Sequence, residues 1–149
     1  STGGSHPECT SGGGGEAAFD FRSAIRELQD PIDPESKFMI DWYTSTAPVD
    51  EDFLRRMRRD AAGIPVHVWL TILDQGLGNR DLQATLPRIT APTLLVFGAL
   101  DNLMGAKERC SLMKGLPKAD VHVFGNLGHN PYWEDPAAVA TVVNPFLRN

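Results

Sequence analysis

The sequence predicts an α/β chain: a run of helices, then a strand–helix–strand–helix unit built on parallel strands. Three observations carry this. From residue 17 to 89, apolar residues recur at helical spacing between cap and stop residues. At Pro92 the pattern changes to "TLLVFG", residues 93–98, a continuous apolar run closed by glycine. Such a run suits a strand buried on both faces, as in a parallel sheet. One helix length later comes "DVHVFG", residues 120–125, and strand–helix–strand order calls for parallel strands with a right-handed crossover.

Residues 1–16 are rich in Gly and Ser and read as a flexible tail, too polar to offset its ordering entropy. Phe21, Ile25 and Leu28 follow i, i+4, i+7 spacing, and Pro31 ends that helix. Asp33 and Pro34 form an N-cap and first-turn pair for a helix carrying Phe38, Met39 and Trp42. Asp50 caps the next helix, with Glu51 and Asp52 where the helix dipole favours them and Val49 and Leu54 at staple positions. Its inner stripe is Leu54, Met57 and Ala61, which leaves "RRMRRD" as a solvated face, and Gly63 stops it. Pro65 opens another, with Val68, Trp69, Ile72 and Leu73 inside, up to Gly76; a short helix carries Leu82 and Leu86. Between the strands a helix is expected over 105–114, ended by Gly115. The last helix starts at Asp135–Pro136, and Pro145 should break or kink its final turn. The domain reading is therefore a tail over 1–16, a helical segment over 17–89 and a strand-bearing part over 90–149.

Acidic and basic residues are interspersed at a net charge of −5, so no basic face points to nucleic acid. No apolar run reaches the ~20 residues of a membrane span, and no segment reads as a signal peptide. A cytoplasmic setting is expected. The two cysteines, Cys9 and Cys110, make neither a disulfide framework nor a metal set. Cys110 falls in a helix, as a small buried hydrophobe. No metal or organic cofactor is expected.

Two loops leave the C-terminal ends of the strands, "GALDNLM" with Asp101 and "NLGHNP" with His129. Ligands in open α/β sheets bind there. On neighbouring strands, a carboxylate and an imidazole would face each other. That is two thirds of a nucleophilic triad, in which the acid fixes the tautomer of His129 and stabilises its imidazolium. Asp101 also has a second reading, as a cap for the helix near Gly105 or a brace for its loop. His122 alternates with valines and reads as a strand-face residue, and His67 as structural. Tyr132 and Trp133 should pack at the entry to the last helix, with Glu134 and Asp135 as helix-start residues. Tyr43 and Trp69 fit core better than a substrate wall.

Taken together, "LPRITAPTLLVFGALD" and "LPKADVHVFGNLGHNPYWEDPAAVATVVNPFL" resemble the C-terminal end of an α/β-hydrolase. The resemblance covers roughly 19–149 and is most specific over 86–136. It implies that Asp101 is the triad acid and that Gly128–His129 is the family's Gly-His pair. It also implies that 17–89 is the cap, since "DWYTSTAPVDEDFLRRM" and "PVHVWLTIL" look like such a lid. The implied function is hydrolysis of an ester, lactone, epoxide or related small substrate, the chain order matching Ser…Asp…His.

The family's G-x-S-x-G nucleophile elbow has no counterpart here. "GGSHP" around Ser5 lacks the second glycine and "CTSGG" around Ser11 lacks the first. The expectation is an inactive chain when isolated, with its nucleophile, Ser or Asp, supplied elsewhere. The alternatives are a non-catalytic fragment or interaction module, and one half of a split hydrolase completed by a partner chain. Expected partners are a small-molecule substrate in the complete enzyme and either a second copy or a complementing hydrolase half, paired through the sheet. Neither nucleic acid nor a membrane is expected.

Overall fold

A computed structural model describes residues 20–77 and 82–148. The expected tail, with Ser5, Cys9 and Ser11, lies outside the described residues. The chain divides into two compact units, Ala17–Asp81 and a second one holding Leu82–Asn149. The division falls before the 82–88 turn.

The first unit is helical: α1 (Phe21–Arg26), α2 (Lys37–Trp42), α3 (Glu51–Ala62) and α4 (Val66–Thr71), with a wider π turn over Ile72–Leu77. Asp20 starts α1, its carboxylate accepting the Arg22 and Ser23 N–H groups at 3.1 and 3.2 Å. Asp50 starts α3 as expected, accepting the Phe53 N–H at 2.9 Å. α2 starts later than the Asp33–Pro34 pair implies. Asp33 spends its carboxylate on the Glu35 N–H at 2.9 Å, making a turn, and Ser36 becomes the cap. The Val66 N–H, which α4 leaves unpaired, is met from a distant loop by Asp30 at 3.0 Å.

These helices close around Ile25, Ile32, Phe38, Met39, Ala61, Trp69 and Leu73. Edge-to-face packing orders the aromatics: ring centroids of Trp42 lie 4.8 Å from Phe21 and 5.2 Å from Trp69. Trp69 is thus a core residue, and Tyr43 packs partly buried against the same cluster. Burial and the nearby Asp60 carboxylate push the Tyr43 phenol above its ordinary range. His67 is exposed on α4.

Arg58 departs from the solvated-face expectation for "RRMRRD": its side chain is 6% exposed. Its apolar stem follows the inner stripe. Its guanidinium reaches Glu51 at 2.6 Å and Glu35 at 3.7 Å, partners that remain half-exposed. Met57, expected inside, is consequently only half-buried.

The second unit opens with a 3₁₀ turn over Gln83–Arg88, whose Leu86 lies against Gly115 so closely that a Cβ there would collide with it. Next come β1 (Leu94–Gly98), α5 (Ala106–Gly115), β2 (Asp120–Phe124), α6 (Pro131–Glu134) and α7 (Pro136–Leu147). β1 and β2 pair in parallel, in register from Leu94 with Asp120 to Gly98 with Phe124. Among the described residues they form a sheet of two strands. β1 is buried at Phe97 and Gly98 and half-buried before them, so its apolar run is less covered than expected. His122 is half-buried on β2, its ring 4.4 Å from that of Phe124. Asp135 caps α7, accepting the Ala138 N–H at 2.8 Å, with Pro136 in the first turn.

α7 runs through Pro145 to Leu147, so the proline does not break it. The ring sits near the helix end, where a missing N–H costs only one late bond. Cys110 is half-buried on α5 and disulfide-bonded rather than a buried thiol, and its partner lies outside the described residues.

Met39 and Ile40 are neighbours on α2 with opposite environments, 0% and 45% exposed. Met39→Ala should destabilise the helical unit by about 2–5 kcal/mol. Ile40→Ala should stay within about 0.5 kcal/mol. Thermal unfolding followed by tryptophan fluorescence measures both.

Candidate active site

Parallel pairing sends both chains out of the sheet in one direction, and the loops stay joined beyond it. The Ala99 N–H donates to the Phe124 carbonyl at 2.8 Å, and the Leu100 N–H to the Leu127 carbonyl at 2.9 Å. Gly98 makes this approach sterically feasible. A Cβ at Gly98 would collide with the carbonyl oxygens of Gly128 and Leu127. Leu127 and Gly128 are themselves buried, so the stem of the histidine loop is wedged against the end of β1. From α5, the Arg109 guanidinium donates to the Gly98 carbonyl at 3.0 Å and braces the other side of that glycine.

Asp101 follows three residues after Gly98. Its Oδ1 accepts the Leu103 and Met104 N–H groups at 2.8 and 2.9 Å. These bonds fold the loop into a tight turn and hold the carboxylate plane. They lie ahead of α5, whose cap is Gly105 with no side-chain bond, so Asp101 braces its loop and does not cap that helix. The other oxygen, Oδ2, meets His129 Nδ1 at 2.9 Å. The sequence-derived pair, Asp101 and His129, is thus in direct contact.

The two side chains differ in exposure, 5% for Asp101 and 40% for His129. Burial works to raise the Asp101 pKa and is the largest single influence on it. The Met104 N–H, the His129 ring, the Leu103 N–H and the charge on His129 work against burial. Together they hold the carboxyl below its ordinary value. Asp101 is therefore a carboxylate at neutral pH and can only accept. The proton in the contact belongs to His129 Nδ1, and in the neutral ring this leaves Nε2 as the basic nitrogen.

Near the site, Tyr132 is exposed but packs edge-on against Trp133 with ring centroids 5.7 Å apart, its hydroxyl donating to Asn130 at 3.0 Å. Leu100 and Leu103, on the Asp101 loop, are about half-exposed apolar side chains. An open hollow of about 330 Å³ is lined by Gln83, Met104, Lys107, Glu108, Ser111 and Leu112. It borders the Asp101 turn through Met104 but includes neither Asp101 nor His129. Among the described residues, no three His, Cys, Asp or Glu side chains gather as a metal site. Among them, too, no helix is long and apolar enough to cross a membrane.

The sequence expectations overlooked three contributors to this arrangement: Gly98, Arg109 and Glu134, whose carboxylate accepts the Gly128 N–H. Gly98 was legible only as a strand end, and Glu134 is masked by the Asp135–Pro136 cap signal beside it.

Solved structures share this architecture. A hydrolase from Pseudomonas aeruginosa PA01 superposes with a TM-score of 0.66 at 22% identity, over 84% of this chain and 47% of that one. The chain has the fold of part of an α/β-hydrolase. MenH from S. aureus gives a TM-score of 0.59 over 74% of this chain and 44% of its own. No family model matches. A 2-hydroxy-6-oxononadienedioate/2-hydroxy-6-oxononatrienedioate hydrolase of Cupriavidus pinatubonensis is 36% identical over 69 residues, 46% of this chain and 24% of that protein. A pimeloyl-[acyl-carrier protein] methyl ester esterase of Vibrio vulnificus is 36% identical over 62 residues, 42% of this chain and 24% of that one. The chain thus spans about a quarter of the length of these curated relatives.

The depressed Asp101 pKa fixes the sign of a pH effect. A carboxyl whose folded pKa lies below its unfolded value of about 3.9 adds stability above that value. The contribution disappears as pH falls through the folded pKa. The stability gap between the wild type and Asp101→Asn should be full at neutral pH, shrink below about pH 4 and close at still lower pH. Thermal unfolding of both proteins across this range measures the gap, and a gap independent of pH would contradict the assignment.

Proposed function

We propose that the chain provides the acid–base half of a hydrolase active site. The observation that carries this is the 2.9 Å contact between His129 Nδ1 and Asp101 Oδ2 at the ends of adjacent parallel strands. In this reading Nε2 is the general base. It takes the proton of a nucleophile hydroxyl, or of water attacking an ester intermediate, and returns it to the leaving group. Asp101 holds the ring in the Nδ1–H tautomer and stabilises the imidazolium. The nucleophile and the oxyanion donors come from residues outside these 149, which hold no G-x-S-x-G.

The names of the relatives favour a carbonyl-centred substrate, an ester or a C–C bond beside a ketone, over an epoxide. Leu100 and Leu103 fit an apolar wall for such a substrate. The two-stranded sheet supports completion by further strands, from a further segment or a partner chain, since two strands alone are marginal in water.

The test is a graft. Residues 90–149 replace the corresponding part of the full-length Cupriavidus pinatubonensis hydrolase, and turnover of a p-nitrophenyl ester is followed. The graft should turn over. His129→Ala should lower kcat by on the order of 10⁶-fold, and Asp101→Asn by on the order of 10⁴. The 149-residue chain alone should stay at background. A folded, active graft indifferent to His129→Ala would overturn the proposal.

A further inference from the structure

We infer that Glu134 is a positioning residue, holding His129 against Asp101 through the backbone. Its sequence context gives it a different role, beside Asp135 and Pro136 at the start of the last helix. The structure separates the two acids. Asp135 caps α7 at the Ala138 N–H. Glu134 turns back across α6, and its Oε2 accepts the Gly128 N–H. Gly128 is the residue immediately before His129, so the bond fixes the Leu127–Gly128 peptide, one link ahead of the residue that carries the imidazole.

The stem of the loop has three ties, each removing a different freedom. The Leu127 carbonyl is held by the Leu100 N–H at 2.9 Å. The Leu127–Gly128 backbone is stopped sterically by Gly98. Both ties act on the side facing β1. The Leu127 carbonyl and the Gly128 N–H are the two edges of one planar peptide, and a tilt of that plane about its single bond to Leu100 would swing His129 away from Oδ2. The Glu134 carboxylate closes that freedom with a charge-assisted bond, of the stronger kind.

α6 supplies the lever. Pro131 is buried, and the Trp133 and Glu134 N–H groups both return to the Asn130 carbonyl, at 2.9 and 3.1 Å. The single turn therefore starts one residue after His129 and points its last side chain back at the residue before it. His129 lies inside a small closed ring, from Gly128 N–H through the chain to Glu134 and back. A residue that can be displaced only with this ring keeps its Nδ1 in place when Nε2 takes a proton.

The catalytic consequence rests on the reading of His129 as base; the geometric claim does not. NMR of the 149-residue chain reports two quantities that separate them: amide exchange at Gly128, and the Nδ1–H proton of His129 in its bond to Asp101. Glu134→Leu should speed Gly128 exchange at least tenfold and abolish the Nδ1–H signal. Glu134→Gln keeps an acceptor of the same length and should retain both. Glu134→Asp keeps the charge but falls short, and should lose both. Asp135→Ala should lower the melting temperature and leave the Nδ1–H signal intact. If Glu134→Leu is unfolded, the Gln and Asp pair still decides. Retention of the signal in Glu134→Asp, or its loss in Asp135→Ala as well, would overturn the inference. In the graft, wild-type-like signals with no dependence of turnover on His129 would instead refute the proposed function alone.

Discussion

The backbone of Leu127–Gly128 lies against the Cα of Gly98, and the geometry at the strand ends depends on that approach. Any side chain at 98 would push the histidine loop off the sheet. With glycine there, the two loops share hydrogen bonds past the last strand residues, and Asp101 and His129 are carried to bonding distance. Arg109 and Glu134 then brace the two sides of the junction, one at the Gly98 carbonyl and one at the Gly128 N–H. The pair is thus set by backbone packing together with these two side-chain braces. Preorganisation of this kind makes a histidine useful as a base, because its partner need not be recruited during the reaction.

The electrostatics follow from the same packing. A nearly buried carboxylate is costly unless its lone pairs are met. Asp101 has two N–H donors on one oxygen and the imidazole on the other, so it stays ionised despite burial. His129 is far more open, which suits a group whose second nitrogen must reach a substrate. The two units differ in how they are stabilised. The helical one encloses its own aromatic core. In the other, Leu94–Val96 of β1 are only half-buried and Val123 of β2 is exposed.

Much of this was legible in the sequence. Both strands, the crossover helix, and the Asp50 and Asp135 caps followed from pattern and cap chemistry, and the Asp101–His129 pairing followed from their matched positions after parallel strands. Two failures share a cause. Arg58 and Glu134 are polar residues whose bonds are made to groups that a local pattern does not locate. The run "RRMRRD" reads as solvated because nothing in it reveals that Glu51 and Glu35 lie within reach of one arginine. The cap expected at Asp33 moved to Ser36 because the Asp33 carboxylate is taken by the Glu35 N–H in the preceding turn. Cys110 shows the same limit for covalent partners.

The central claim is that these residues alone hold the His129 ring with Nδ1 bound to Asp101, leaving Nε2 for the role proposed above. The nitrogen chemical shifts of the His129 ring, in the 149-residue chain at a pH where the ring is neutral, report its tautomer directly. The account predicts a proton on Nδ1 and none on Nε2. A ring protonated on Nε2, or one averaging rapidly between the two forms, would contradict it.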